Sequence, residues 1–570
     1  MTTPAGRSRV LEVAMELALT PELLQAIEDQ FGLEAAQAAA MSTSVGGIGP
    51  LLRERVIAQS EQGVDVVGVS LLYNSVWNQG LHAWNHLMLD RRPVAPSLRA
   101  VLQDTGIHLS LPLFDGSTAE VKVWRAPYGQ SFVYFLDCPS IADVVYPGGE
   151  DAPPKTPDPE AWTERQRLKH SWIVGRGALA LAKALNFSPD VVVLSETPTL
   201  FAHPTLVNDD LSRDPLFAHT RTVFNDHTPL EYAHPIWPED MLRLTRMNAA
   251  LYGPFVRNGR VDITQLLVAC SDGVFGVARK HADVMRAMPS LSAYAAKIQY
   301  ITNGVSQALW QHPVFRLADK IGDAELLAAK DKLREEFLEW LWRRALLWPH
   351  WARAVRGRPI VLWTRRITSY KRLDILDKIF DRPDWRQRFL DSGVVIIVGG
   401  RVYQRDNVSE KMLYNLVEDL NGDETLGERV VFLHNYNVWE APRLFWGGDA
   451  SIMLSDDGRE ASATGFMKAQ MNGAAIIANP DGAVPEFVFG DDSAGKPVNG
   501  FTVRYRDGQP DPESFLDALQ AFGQSFRDPR RRAALVRGAL AVTPEVAVDR
   551  TAREMAAFFG ALPARPAVPA

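Results

Sequence analysis

The stretch ASIMLSDDGREASATGFMKAQMNGAAIIA (450–478) holds two short apolar runs on either side of a helix-compatible centre. ASIMLS and AAIIA have the length of buried strands, and the acidic turn DDGRE leads into small residues that suit a helix N-terminus. Strand, helix and strand in this order form a parallel crossover unit, the building block of a doubly wound sheet. One residue does not fit simple packing. Lys468 sits among small residues, and burying a lysine without a partner shifts its pKa or costs several kcal/mol. It therefore either snorkels outward or is functional, and both readings stay open on physics alone.

Further β-branched runs recur at 64–73, 190–195, 221–225, 358–364, 393–400 and 428–434, with helical patterns between many of them. Continuous apolar runs alternating with helices indicate parallel strands buried on both faces. The fold class is α/β, and the runs fall into two series. A chain of 570 residues also exceeds what one core organises, so two large domains are expected. The boundary is placed near 303–316, giving domains 1–310 and 311–570, with the last helix packing back on the N-terminal domain. The stretch 146–162 reads as a surface loop before a helix started by Pro157 and Asp158, and the tail 561–570 as mobile. The N-terminal stretch around VLEVAMELAL reads as a charged, helix-like pattern.

Apolar content of 46% and charged content of 23% are ordinary for a soluble protein, and no apolar run reaches the ~20 residues of a membrane span. No signal-peptide pattern precedes the first helical pattern, so a cytoplasmic protein without membrane partners is expected. Cys138 and Cys270 fit reduced thiols better than a disulfide or metal framework. A net charge of −7 without a basic block argues against nucleic acid and confines any anion site to a few residues.

Four stretches could carry chemistry at strand ends, where open α/β sheets gather ligands. SVGGIGP (44–50) opens a helix with glycines that allow close backbone approach, although a tight turn is the simpler reading. WTRRITSYKR (363–372) packs Arg365, Arg366, Lys371 and Arg372 together, which suits a phosphate or an exposed basic turn. FNDHTPLEYAH (224–234) offers His227, either a structural group or one that bonds a sugar hydroxyl or acts as an acid. GDDSAGKP (490–497) imitates a phosphate-binding loop, but Pro497 replaces the hydroxyl residue that would hold magnesium, so it reads as a surface turn. No metal-ligand spacing appears. A functional Lys468 would be a Schiff-base former, and pyridoxal phosphate is the aldehyde cofactor best matched to nearby anion-binding groups.

In combination these stretches resemble the α-glucan (glycogen/maltodextrin) phosphorylase family, most of all its short bacterial branch. EASATGFMKAQMNGA…NPDGAVPE is similar to the family's E-A-S-G-T-G-N-M-K-x-x-x-N-G-A…DGAxxE signature, and RRITSYKR, ITNGVSQALW, FNDHTPL, VFLHNYNV and SVGGIGP have counterparts in order. The resemblance implies a GT-B type fold, two Rossmann-like doubly wound domains facing an interdomain cleft. It implies pyridoxal phosphate on Lys468, with Arg365 and Tyr436 flanking it and the amides of Thr464 and Gly465 on its phosphate. Arg366 and Lys371 would hold substrate phosphate. Glu460, Ser462, Asn303 and His227 would contact the glucosyl unit, and the loop Gly46, Gly47, Ile48 would face the phosphates.

The implied reaction is retaining phosphorolysis of an α-glucoside or α-1,4-glucan to glucose 1-phosphate by a homodimer. Departures are Asn437, Ala463 and Phe466 at the cofactor rim, Thr368 and Ser369 beside the basic turn, and Pro198 where the family has a histidine on the acceptor side. They put polymer specificity in doubt more than fold. Such a short chain also leaves little room for an effector site. A nucleotide-sugar-dependent retaining glycosyltransferase on the same fold and a non-catalytic relative are the alternatives.

Overall fold

The computed structural model describes residues 8–81, 87–344, 351–402, 406–490 and 495–563. The tail from 564 and much of GDDSAGKP lie outside the described residues. The chain divides into two compact units: one of Met1–Val76, Arg91–Thr302 and Thr551–Ala570, the other of Trp77–Asp90 and Asn303–Arg550.

The first unit is built on a sheet of nine strands among the described residues: β1 (Arg9–Val13), β2 (Asp65–Leu72), β3 (Gln103–Pro112), β4 (Thr118–Tyr128), β5 (Ser131–Asp137), β6 (Val191–Ser195), β7 (Arg221–Asn225), β8 (Gly273–Gly276) and β9 (Ile298–Tyr300). Their order is β9-β8-β7-β6-β1-β2-β5-β4-β3. All neighbours from β9 to β5 run parallel, and β5-β4-β3 form an antiparallel meander. The chain winds one way from β1 to β2 and the other way from β1 to β6, so the switch point lies at the carboxyl ends of β1 and β6. Helices α1 (Ile48–Glu61), α2 (Pro159–Ala184) and α3 (Arg279–Ala287) belong to this unit; Asp158 caps α2 by accepting from Ala161 N at 3.0 Å.

The N-terminal pattern read as helical is the central strand β1. The misleading residue is Glu12, buried in the strand where an apolar residue is expected. Arg55 of α1 makes that burial tolerable, donating to Glu12 Oε2 at 2.6 Å, Asn225 Oδ1 at 2.7 Å and Ser195 Oγ at 3.1 Å. Gln59 donates to the other Glu12 oxygen at 2.8 Å, so one buried ion pair fastens α1 to β1, β6 and β7. The C-terminal helix Val548–Ala561 completes the unit from Thr551 onward. Phe558 packs edge-on against Phe275 at 5.5 Å, and a side chain at Gly273 would lie 2.6 Å from Leu562 Cδ2.

The main sheet of the second unit has, among the described residues, the strands β10 (Ile360–Thr364), β11 (Val395–Gly399), β12 (Val430–Leu433), β13 (Ala450–Met453), β14 (Ala475–Ala478) and β15 (Gly500–Thr502). They lie in the order β12-β11-β10-β13-β14-β15, all parallel. This is the 3-2-1-4-5-6 order of a Rossmann sheet, with its switch point at the ends of β10 and β13. The excursion Trp77–Asp90 joins this unit through Gln79, which is fully buried. Gln79 donates to Gly400 O at 2.9 Å and His434 O at 2.8 Å and accepts from Val402 N at 3.0 Å.

Helices α4 (Asp323–Arg344), α5 (Ala441–Gly447) and α6 (Thr464–Gln470) meet at a second buried cation. Lys330 of α4 donates to Gly448 O at 2.5 Å, Asn472 O at 2.7 Å and Trp446 O at 3.4 Å, carbonyls at and beyond the ends of α5 and α6. Burial pushes its pKa down to about 7, with Asp449 opposing. Asn472 adds the next link, donating to Lys468 O and Trp310 O, each at 2.8 Å, and accepting from His312 N at 2.8 Å. Lys330→Met should therefore cost about 3 kcal/mol, because it leaves buried carbonyls without donors. Urea denaturation measures this; a loss near zero would show that the carbonyls find other partners.

Candidate active site

In the second unit the expected basic residues converge at the switch point. Arg365 follows β10 and donates one guanidinium nitrogen to Leu454 O at 2.6 Å and the other to Glu460 Oε2. Lys371 Nζ lies 3.3 Å from the same oxygen. Burial alone would raise the Glu460 carboxyl, but Lys371, Arg365 and Arg366 outweigh it and hold its pKa below the ordinary range. Burial pushes Lys371 down to about 7, with Arg365 and Arg366 adding to the shift and Glu460 opposing it. Three basic side chains thus act on one carboxylate in a place that strand ends hold rigidly.

The loop carrying Glu460 is shaped by an aspartate more than 20 residues further along the chain. Asp481, in the NPDGA turn, is buried and accepts from Ser455 Oγ at 3.0 Å, Gly458 N at 3.2 Å, Arg459 N at 3.1 Å and Glu460 N at 2.9 Å. Gly482 then passes so close that a side chain there would meet the Ser462 backbone at 3.1 Å and Glu460 Cγ at 3.2 Å. A turn aspartate followed by glycine was the available signal, but its partners are more than 20 residues away in sequence.

Lys468 lies on α6, buried, with its Nζ 3.9 Å over the Trp310 ring. Thr464 and Gly465 are the first residues of that helix, and a side chain at Gly465 would lie 2.9 Å from Met453 Cε. Ser462 is buried, and its Oγ has no hydrogen-bond partner among the described residues. Tyr436 packs where a Gly399 side chain would touch it at 3.1 Å, and burial raises its hydroxyl pKa. Asn303 is buried at the start of the unit, and its carbonyl accepts from Arg550 at 3.0 Å.

The departures at the rim have local explanations. The Asn437 side chain is engaged with its own loop, donating to Glu440 Oε2 at 2.8 Å and Asn435 O at 2.9 Å and accepting from Trp439 N and Glu440 N. Phe466 is fully buried. Ala463, where the resembling family has glycine, sits at φ 66°, ψ 47°, the left-handed region that costs a side-chain-bearing residue about 1 kcal/mol.

The first unit contributes a separate group. His227 follows β7, with its backbone N bonded to Glu196 Oε1 at 2.9 Å. Its imidazole is held at a pKa of about 3, first by burial and then by Arg55, so it is neutral at physiological pH and cannot donate a proton as an acid there. Its Nε2 is buried without a hydrogen-bond partner among the described residues, which leaves the hydrogen-bonding role open. Neighbouring Asp226 lies 3.4 Å from His281 Nε2 and 3.6 Å from His234 Nε2. Since His281 Nδ1 accepts from Val277 N at 3.1 Å, its proton is on the nitrogen facing Asp226. Burial, then Asp226, pushes the Glu196 carboxyl well above the usual range. The glycine loop is engaged internally: Val45 N and Gly46 N donate to Glu16 at 2.8 and 3.3 Å, while Gly47 precedes α1 and Ile48 begins it. Among the described residues no group of three or more His, Cys, Asp or Glu could hold a metal ion, and no helix is long and apolar enough to cross a membrane.

Residues 364–490, which contain the whole basic cluster, Glu460, Asp481 and Lys468, match the carbohydrate phosphorylase family model. The chain is 23% identical over 511 residues to maltodextrin phosphorylase of Thermococcus litoralis, covering 77% of this chain and 58% of that protein. It is 24% identical over 585 residues to glycogen phosphorylase of Mycobacterium tuberculosis, covering 86% and 64%. These findings support assignment to the α-glucan phosphorylase family. The chain thus spans about three fifths of the length of these curated relatives. Residues 34–290 match the starch synthase catalytic domain model. The catalytic domain of starch synthase IV from Arabidopsis thaliana, bound to ADP and acarbose, superposes with a TM-score of 0.70 at 18% identity, covering 98% of this chain and 99% of that one. The fold is of the GT-B type.

Two outcomes follow for this phosphorylase relative. Lys371 is charged below and neutral above a pH of about 7, so affinity for sulfate, whose own charge is constant there, should fall as pH rises through 7. Lys371→Arg should abolish that dependence; titration calorimetry at pH 6 and 8 checks both, and a flat wild-type profile would show that Lys371 does not meet the anion. Ala463→Gly should raise unfolding free energy by up to about 1 kcal/mol, since glycine adopts this conformation without strain. A thermal melt showing lower stability would mean that unfolded-state entropy outweighs the strain.

Proposed function

We propose that the chain is a glycosyltransferase-type enzyme, a retaining phosphorylase that cleaves an α-glucoside or α-1,4-glucan with inorganic phosphate and reversibly yields glucose 1-phosphate. The observation that carries this reading is the cationic group of Arg365, Arg366 and Lys371 around Glu460, inside the stretch that is similar to carbohydrate phosphorylases. Arg366 and Lys371 bind and orient the substrate phosphate; as that phosphate gives its proton to the leaving glycosidic oxygen, their positive charges offset its added negative charge, and one of its oxygens then bonds to C1 where the glycosidic bond has broken. Arg365 holds Glu460, and Glu460, Ser462 and Asn303 contact the glucosyl hydroxyls in this reading. His227, being neutral, hydrogen-bonds a sugar hydroxyl.

The reading implies pyridoxal phosphate, and the residues present fit it. Lys468 supplies a primary amine facing an aromatic ring, Gly465 leaves no room for a side chain, and the buried Ser462 hydroxyl lacks a protein partner. Lys468 would hold the group, the amides of Thr464 and Gly465 its phosphate, and Arg365 and Tyr436 its flanks. When bound, the group would supply a second phosphate, an acid–base group beside the substrate phosphate.

The second reading, a nucleotide-sugar-dependent glycosyltransferase, draws support from the match of 34–290 to the starch synthase model. The test is incubation of the purified chain with maltooligosaccharides and phosphate, beside a parallel reaction with ADP-glucose. Phosphate-dependent release of glucose 1-phosphate is expected, and glucosyl transfer from ADP-glucose in its place would overturn the proposal. Borohydride treatment should leave a pyridoxyl adduct on the peptide containing Lys468, and Lys468→Ala should remain folded without it. An adduct elsewhere, or a chromophore retained in the variant, would remove Lys468 from the role.

A further inference from the structure

Arg401, two residues beyond β11, carries a charge that the protein leaves unmatched. Among the described residues six arginines bury an Nε that has no hydrogen-bond partner: Arg53, Arg55, Arg176, Arg334, Arg365 and Arg401. In the first five another guanidinium nitrogen meets a carboxylate, that of Glu54, Glu12, Asp209, Asp449 and Glu460 respectively. Arg401 meets a neutral group instead, donating through Nη2 to Trp77 O. The stretches next along the chain from Trp77 and Arg401, 82–86 and 403–405, contain no aspartate or glutamate. Burial lowers the Arg401 pKa to about 10 with no carboxylate acting on it, so the group stays charged near neutral pH. A guanidinium withdrawn from water without a counter-ion is costly, which the five paired arginines avoid. The position of Arg401 is fixed nonetheless. Gln79 bonds the backbone on both sides of it, at Gly400 O and Val402 N, and Arg401 O accepts from Ile367 N at 2.8 Å. Its side chain is half-buried, which leaves an approach for a small ion.

We infer that Arg401 marks a second oxyanion site, where the carboxylate or phosphoryl group of a ligand supplies the missing counter-charge, apart from the cluster of Arg365, Arg366, Lys371 and Glu460. The guanidinium has five N–H donors in a planar fork, and anchoring one nitrogen on Trp77 O leaves the others for a planar or tetrahedral oxyanion. Bonds of this kind, with charge on both partners, are the strong ones. The two sites are electrostatically separate, since none of the charged groups of the cluster acts on Arg401. Phosphorolysis of a neutral glucan needs no cation at this position, so the site goes beyond the functional reading above.

The test is calorimetric titration of the full chain, incubated beforehand with pyridoxal phosphate, with sulfate at pH 6 and pH 8. Wild type should bind two sulfates. One should weaken as pH rises, as expected at Lys371, and the other should keep its affinity because Arg401 stays charged throughout. Arg401→Gln should weaken the constant site at least about tenfold and leave the pH-dependent one in place. A single sulfate in wild type, or both sites intact in the variant, overturns the inference. Should Arg401→Gln fail to fold, Lys371→Gln decides: it should retain the constant site, and loss of all sulfate binding overturns the inference. Competition by acetate at the constant site identifies a carboxylate ligand, competition by phosphate alone a phosphoryl one, and competition by neither counts against the site. Two sulfates without any phosphorolysis would support the site and sink the functional reading separately.

Discussion

The carboxylate of Asp481 organises the region on which the candidate site depends. Four donors from residues 455 to 460 converge on it, and none of them belongs to a helix or strand that could satisfy them otherwise. A loop of this kind has no reason to adopt one shape unless its buried amides are bonded, and an ionised acceptor bonds several at once. With the loop fixed, Glu460 reaches Arg365 and Lys371, and Ser462 meets the NPDGA turn. The position of each charge therefore follows from a hydrogen-bonded turn rather than from the sheet alone.

Both units use the same topological device with opposite electrostatics. At the switch point of the second unit, Arg365, Arg366 and Lys371 surround the Glu460 carboxylate. Around the ends of β1, β6 and β7 in the first unit stand Glu16, Glu196 and Asp226, with neutral His227 beside them. A protonated carboxyl such as Glu196 and a neutral imidazole can both donate and accept hydrogen bonds, whereas the cations of the second unit favour an anion. Beneath each site lies a buried ion or ion pair, Arg55 with Glu12 in one unit and Lys330 with its three carbonyls in the other. These groups hold helices at fixed distances from the strands that bear the functional residues.

Much of the architecture was legible because parallel strands buried on both faces are written as continuous apolar runs. The runs at 221–225 and 450–455 begin where strands β7 and β13 begin. What escaped follows other patterns. In β3 and β4 burial alternates along the meander, so no continuous run exists to be seen. In β1 the charge of Glu12 imitates a helical spacing, and only its pairing with a distant arginine explains it. Since β1 was not recognised, Glu16 just beyond it could not be assigned to a strand end. Asp481 and Trp310 were in view within quoted motifs, yet a turn aspartate and a tryptophan are common structural residues, and their roles are contacts over long sequence separations.

By itself the sequence determined the class of fold, the existence of two wound sheets and the cluster of basic residues at one strand end. Periodicity and composition encode these, since burial on both faces and the clustering of like charges are local properties. Only the tertiary structure decided the state of those residues. It made His227 neutral, engaged Glu460 with two cations, set Ala463 in a left-handed conformation and occupied the glycine loop with Glu16. Protonation and hydrogen-bond partnership depend on desolvation and on charges brought together from remote parts of the chain, and folding alone supplies both.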